Sequence, residues 1–223
     1  MGVINFGINR NLVEEIAQKV KPENFIETGT YLGGTSSWAA SHFKEVHTIE
    51  ISEEIYNKTK VKFAHLKNMH CYLGDSKQIL PEIVSKVKGQ SLFWLDGHWC
   101  GRNTGGKYNE CPIFDELNAA CKTESPIILI DDLRYFLGPN PYDFGEGYPT
   151  LNDILKFLIG NLPDHYVTVH DDTLICVPEA CRSIVDADWK NNYQKRFPMS
   201  LKSIGSKLLW RVKNLDFKLE KNK

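Results

Sequence analysis

Residues 24–35 read NFIETGTYLGGT, and the fold turns on how this stretch is parsed. Its first half is short, aromatic and β-branched, as a buried strand requires. Its second half holds Gly29, Gly33 and Gly34, which let the chain turn tightly and let another group approach its backbone. Two kinds of glycine loop are excluded. No Gly-Lys-Ser/Thr follows, so the loop is not a P-loop. The dinucleotide fingerprint needs a second glycine at position 31, where Tyr31 would block the close approach of a pyrophosphate. What remains suits a nucleoside that carries no diphosphate.

Outward from this loop, β-rich runs alternate with helical ones. Strands are expected near 46–51, 69–75, 91–97 and 126–133, with helix-like segments at about 34–43, 53–66, 77–88 and 112–122. That alternation predicts a parallel sheet with helices on both faces. A helix near 149–161 then leads to 165–179, where two β runs meet at Asp171-Asp172, the turn of a terminal antiparallel hairpin. Upstream of the loop, Leu12, Val13, Ile16 and Val20 recur at helical spacing within 9–20. Core packing is the default for such a segment, with a homodimer contact as the alternative.

Ligands of such sheets lie beyond the carboxyl ends of the strands, where strand order reverses. Those ends are acidic here: Glu27, Glu50, Asp75, Asp96 and the pair Asp131-Asp132. Glu50, 23 residues after Glu27, is placed to accept hydrogen bonds from ribose hydroxyls. Asp75, with Ser76 beside it, is placed to accept from an adenine amino group. Each residue alone has an ordinary explanation, such as a helix N-cap. Asp96 and Asp131-Asp132 end adjacent strands, and three neighbouring carboxylates repel one another unless something neutralises them. A divalent cation does so, and an all-oxygen donor set favours Mg²⁺, with Mn²⁺ or Ca²⁺ as substitutes.

Charge is unevenly spread. Residues 182–223 carry 11 Lys+Arg and 4 Asp+Glu, a balance of +7, which leaves −8 on residues 1–181 of a chain whose net charge is −1. An acidic body is a poor nucleic-acid surface. Two parts are expected: residues 1–181, with 1–21 as a helical lead-in, and a basic helical extension over 182–223. In the extension Ile204, Leu208, Val212, Leu215 and Leu219 follow one side between basic residues. Packing on a domain or a second subunit is the first reading, and peripheral membrane contact the second. Six cysteines lack metal-site spacing, and the chain shows neither a secretory leader nor a membrane-spanning run. Reduced thiols in a cytoplasmic protein are expected, with Cys71, Cys121 and Cys176 as small core residues.

The succession ETGTYLGGT, HTIE, GDS, FWLDGH and a closing β-hairpin resembles the class I S-adenosylmethionine-dependent methyltransferases over about residues 20–180. The resemblance implies a Rossmann-like α/β fold with a mostly parallel seven-stranded sheet and a terminal antiparallel hairpin. It implies S-adenosylmethionine as cofactor, bound by Glu27, Thr28, Gly29, Thr30, Tyr31, Gly33 and Thr35 of the loop, by Glu50 at the ribose, by Asp75 and Ser76 at the adenine, and by Asp96. The acidic pattern looks like that of metal-dependent O-methyltransferases of the catechol type and, more closely, the macrocin type, which act on small hydroxylated acceptors such as sugars. Carried over, Asp96, Asp131 and Asp132 are metal ligands. His98, the third residue of DGH, falls at the general-base position; a fourth metal ligand and an ordinary loop histidine are the other readings. Trp99, Arg102, Arg134, Tyr135 and Tyr142 lie in the two polar or aromatic loops that follow, as candidates for acceptor contact. The rivals are a metal-independent methyltransferase and a non-catalytic nucleoside-binding subunit.

Overall fold

The computed structural model describes residues 7–97, 111–138 and 148–197. The helix expected upstream is α1 (Arg10–Val20), whose first turn is capped by the Asn9 side chain accepting from the Leu12 amide at 3.2 Å. Then follow β1 (Asn24–Thr28), α2 (Gly34–Ala39), β2 (Glu45–Glu50), α3 (Glu53–Lys62), β3 (Met69–Leu73), α4 (Ser76–Val84) and β4 (Ser91–Leu95). After these come α5 (Ile113–Ala120), β5 (Ile127–Ile130), a 3₁₀ turn at Leu133–Phe136, α6 (Leu151–Asn161), β6 (His165–His170), β7 (Thr173–Pro178) and α7 (Arg182–Arg196). By internal contacts the chain divides into Met1–Ile184 and Val185–Lys223.

The seven strands form one sheet in the order β3-β2-β1-β4-β5-β7-β6. The first five are parallel, and β7 is antiparallel to both its neighbours. This is the expected architecture, with the hairpin turning at Asp171, whose φ is 53°. Central β1, β4 and β5 are buried along their whole length, because helices cover both faces of a parallel sheet. The edge strand β6 is half-buried throughout. On one face Ile26, Ile49, Phe93, Leu95, Ile128 and Ile130 join Leu80 and Ile83 of α4, Leu117 of α5 and Ile154 and Leu158 of α6 in a single core. Alternate β1 residues face the other way, where Phe25 packs on Trp38 and Phe43 with ring centroids 6.3 and 5.2 Å apart.

Strand order reverses between β1 and β4, and there the registers are flush: Thr28 pairs with Ile49 on one side and Leu95 on the other, and Leu95 pairs with Ile130. The residues after these ends therefore share one edge. Several strands and helices end two to four residues sooner than the sequence suggests. Residues 29–30 and 96–97 belong to the loops at this edge. Of the expected core cysteines, Cys176 is buried and Cys71 and Cys121 are half-buried. Burial pushes the Cys176 thiol up to about 12, so it stays protonated.

Candidate active site at the carboxyl edge

Gly29 has φ +83°, and a Cβ there would lie 2.4 Å from the carbonyl oxygen of Asp96. The glycine is thus required by the chain's own β4 backbone. Thr28, fully buried, fastens the same junction: its Oγ1 accepts from the amides of Asp96 and Gly97 at 3.2 and 3.1 Å. Gly33, at φ +71°, packs against α3, where a Cβ would meet Phe63 at 2.5 Å. Of the three loop glycines, only Gly34 faces open space. Two of the three are thus required by contacts with the chain's own residues.

Tyr31 takes a left-handed conformation, φ 46°, which costs energy for a residue with a side chain. The carboxylate of Glu50 offsets that cost, since its Oε2 accepts from the Tyr31 amide at 2.9 Å. The other oxygen, Oε1, accepts from the Ser52 amide at 2.9 Å. Glu50 is nearly buried, and each of its oxygens keeps a second lone pair for a hydroxyl of a ligand. Tyr31 and Leu32 stand more than half exposed at the tip of the loop above it. Asp75 caps α4 by accepting from the Lys77 amide at 2.9 Å, with Ser76 buried behind it.

Glu27 and Thr30 lie beneath the loop. Thr30 exchanges a 2.6 Å hydrogen bond with Thr48, which donates to Glu27 at 2.7 Å. Ser36 of α2 also donates to Glu27. Burial raises the Glu27 carboxyl to about 7; the two hydroxyls act against the rise and Glu50 adds to it. Thr35, in the first turn of α2, is half-buried. The loop is therefore tied to β2 and α2 through a carboxyl that is largely protonated in mild acid.

Across the β1–β4 junction the carboxylates face one another. Asp96 is pushed up to about 9, first by burial and then by the charges of Asp131, Asp132, Glu27 and Glu116. Asp131 is buried and turns Oδ1 onto the Asp132 amide at 2.8 Å. Asp132 sits at φ 53°. Among the described residues, Asp131, Asp132 and Asp172 bring their oxygens within 4.8 Å of one another, while Asp96 feels the charges of Asp131 and Asp132. The reason is topological. Strand β7 lies beside β5, and its turn is bound there by the Leu133 amide donating to the Asp172 carbonyl at 2.8 Å and the Arg134 amide to its Oδ1 at 3.0 Å.

Arg134, expected at the acceptor, lies in this cluster. Its guanidinium is 2.6 Å from Asp132 Oδ1 and also pairs with Asp172. It stacks over Tyr135 at 4.7 Å, and Tyr135 meets Tyr148 edge-on at 6.3 Å. Two further acids carry no site signal in the sequence. Asp172 looks like a turn residue, and only the place of β7 beside β5 brings it here. Glu116, on α5, is buried with Oε1 3.1 Å from where a Gly97 Cβ would be, and it looks like one more helix acid. His98, Trp99, Arg102 and Tyr142 lie outside the described residues. So does residue 100, and so do Ile204, Leu208, Val212, Leu215 and Leu219.

An all-oxygen cluster with a half-buried acid beside it pushed up to about 9 fits a hard divalent cation, which would favour the ionised form of Asp96. Arg134 already neutralises part of it. A cavity of about 290 Å³ lies elsewhere, at the amino edge between α4 and β2–β3, lined by His47, Tyr72, Glu82 and Lys86 among others. There burial, and next the charge of His70, push His47 down to about 4.

No family model matches the chain, and no curated protein matches it. Solved structures do. A candidate caffeoyl-CoA O-methyltransferase from Staphylococcus aureus aligns over 79% of this chain and 86% of its own, with a TM-score of 0.54 and 15% identity. A candidate rRNA methylase from Clostridium thermocellum aligns over 78% of this chain and 99% of its own, with a TM-score of 0.52 and 13% identity. At such identities the likeness is one of fold, and the fold is the Rossmann-like one of class I methyltransferases.

Proposed function

We propose that the chain is an S-adenosylmethionine-dependent O-methyltransferase of a small hydroxylated acceptor, such as a sugar or glycoside, with a divalent cation at Asp131 and Asp132 and Asp96 alongside. One observation carries the reading: at the edge where strand order reverses, a buried, backbone-oriented carboxylate at the end of β2 stands two strands away from a group of mutually repelling acids at the ends of β4 and β5. The first is what a ribose diol requires, and the second attracts both a sulfonium and a metal ion. The class I fold and the two methyltransferase-like neighbours are consistent with it.

In this reading Glu50 accepts from the ribose, and Asp75 accepts from the adenine amino group with the oxygen its cap bond leaves over. Thr28 holds the Asp96–Gly97 backbone still beneath the methyl group. A bound cation would supply Lewis acidity, lowering the pKa of the acceptor hydroxyl. His98 follows Gly97 in the chain and takes the hydroxyl proton. The balance of −8 over residues 1–181 argues for a small acceptor over RNA.

A second reading has one observation in its favour. Arg134 neutralises Asp132 and Asp172 from within, as a metal-independent methyltransferase would have it. Calorimetric titration with S-adenosylhomocysteine, followed by turnover on catechol and glycoside acceptors with and without a chelator, separates the alternatives. Micromolar binding and chelator-sensitive transfer are expected. Chelator-resistant transfer selects the second reading, binding without transfer indicates a nucleoside-binding subunit, and no binding refutes all three.

A further inference from the structure

Helix α7 carries Trp189 and Tyr193, and Phe197 follows its last residue; the three recur at intervals of four, the Phe197 amide donating to the Tyr193 carbonyl at 2.8 Å keeps them on one face, and about half of each is exposed. Water does not favour such a row unless it has a use. The rings form a ladder: Trp189 and Tyr193 stack at 4.9 Å with 15° between planes, and Tyr193 and Phe197 lie 4.9 Å apart. Lys190 and Arg196 flank the ladder on either side, three residues from Tyr193 in each direction, and both are exposed, as is Lys195. The charge continues along the chain. Residues 189–223 hold ten Lys+Arg and two Asp+Glu, with Trp210 and Phe217 among them.

We infer that this face of α7 docks on an anionic lipid surface, with the aromatic ladder in the interfacial layer and the flanking basic residues on the headgroups. Aromatic rings with one apolar body and a basic border are the side chains that partition to that layer. Other occupants fit less well. Nucleic-acid bases stack on open ring faces, whereas the facing sides of Trp189 and Tyr193 are already spent on each other. A second copy would bring two strongly basic segments together. Among the described residues no helix is long and apolar enough to cross a membrane, so the contact is peripheral. The inference does not rest on the proposed enzymatic activity.

The test is co-sedimentation of the full chain with sucrose-loaded phosphatidylcholine vesicles, with and without phosphatidylglycerol, at about 0.1 M salt. The wild type is expected to partition at least roughly ten-fold more strongly to the anionic vesicles. The variant Trp189→Ser/Tyr193→Ser/Phe197→Ser, whose thermal unfolding is checked first, loses about ten-fold or more of that binding. Lys190→Glu weakens it less and steepens its response to salt no further. If the triple variant does not fold, Trp189→Ser alone, at an exposed site, must still lower partitioning. The inference is overturned by failure of the wild type to bind anionic vesicles, by equal binding of the aromatic variants, or by a concentration-dependent dimer or an RNA complex that these variants abolish while vesicle binding is absent.

Discussion

The two halves of the carboxyl edge use the same chemical group in opposite ways. At the β1–β2 end, Glu50 spends both oxygens on backbone amides, 2.9 Å each, and so props a strained loop into shape. At the β4–β5 end, Asp131 and Asp132 crowd both Asp172 and Asp96, and Arg134 supplies part of the missing positive charge. The first half is preformed and electrostatically settled. The second stays under electrostatic stress, a condition that suits chemistry better than stability. A carboxylate held by amides is a scaffold with spare lone pairs. A carboxylate held against its neighbours waits for a cation or a proton.

The largest effect is expected where the halves are joined. Gly29→Ala would drive a methyl into the Asp96 carbonyl and force a strained φ, and should cost about 3 kcal/mol or more of stability. Chemical denaturation measures it, and both ligand affinities should be lost together. Next comes a variant confined to the acidic half. Asp131→Asn should reduce cation affinity and turnover by about 100-fold. It should leave S-adenosylhomocysteine titrations unchanged; a parallel loss of both would mean the halves are one unit.

Glu50→Gln is the converse. It removes the charge from two amide hydrogen bonds, a loss of about 2 kcal/mol or roughly 30-fold in S-adenosylhomocysteine affinity. Mn²⁺ affinity should hold. The smallest effect is a slope. Glu27 titrates at about 7 in the fold against 4.5 as its ordinary value, so the folded chain binds the extra proton between those pH values and loses stability as pH rises through them. Glu27→Gln should lessen the fall in melting temperature over pH 4.5–7. The slope that remains there and continues toward about 9 belongs to Asp96, and Mg²⁺ should reduce it.

The fold was legible because its signals are local. NFIET, HTIE and FWL are short buried runs between helical stretches, and Asp171-Asp172 marks the hairpin. The site was legible up to the point where packing decides. A glycine at 29 could be required from the pattern, but what fills the space beside it, the Asp96 carbonyl, depends on the flush register of β1 and β4. Arg134 stood among aromatic loop residues that suggested an acceptor contact, and its ion pairs exist because β7 inserts beside β5. Asp172 and Glu116 come to the cluster from a turn and a helix with no motif of their own. The α7 ladder was present at intervals of four in 189–197, yet nothing in the spacing says whether such a row is covered.

The most direct test of the central claim is a crystal structure with S-adenosylhomocysteine and Mn²⁺, read by anomalous scattering. The account predicts one manganese peak bound by Asp131 and Asp132 beside the cofactor sulfur, with Glu50 on the ribose and Arg134 withdrawn from Asp132. A cofactor-filled site with no anomalous peak there, and Arg134 still seated between Asp132 and Asp172, would contradict it.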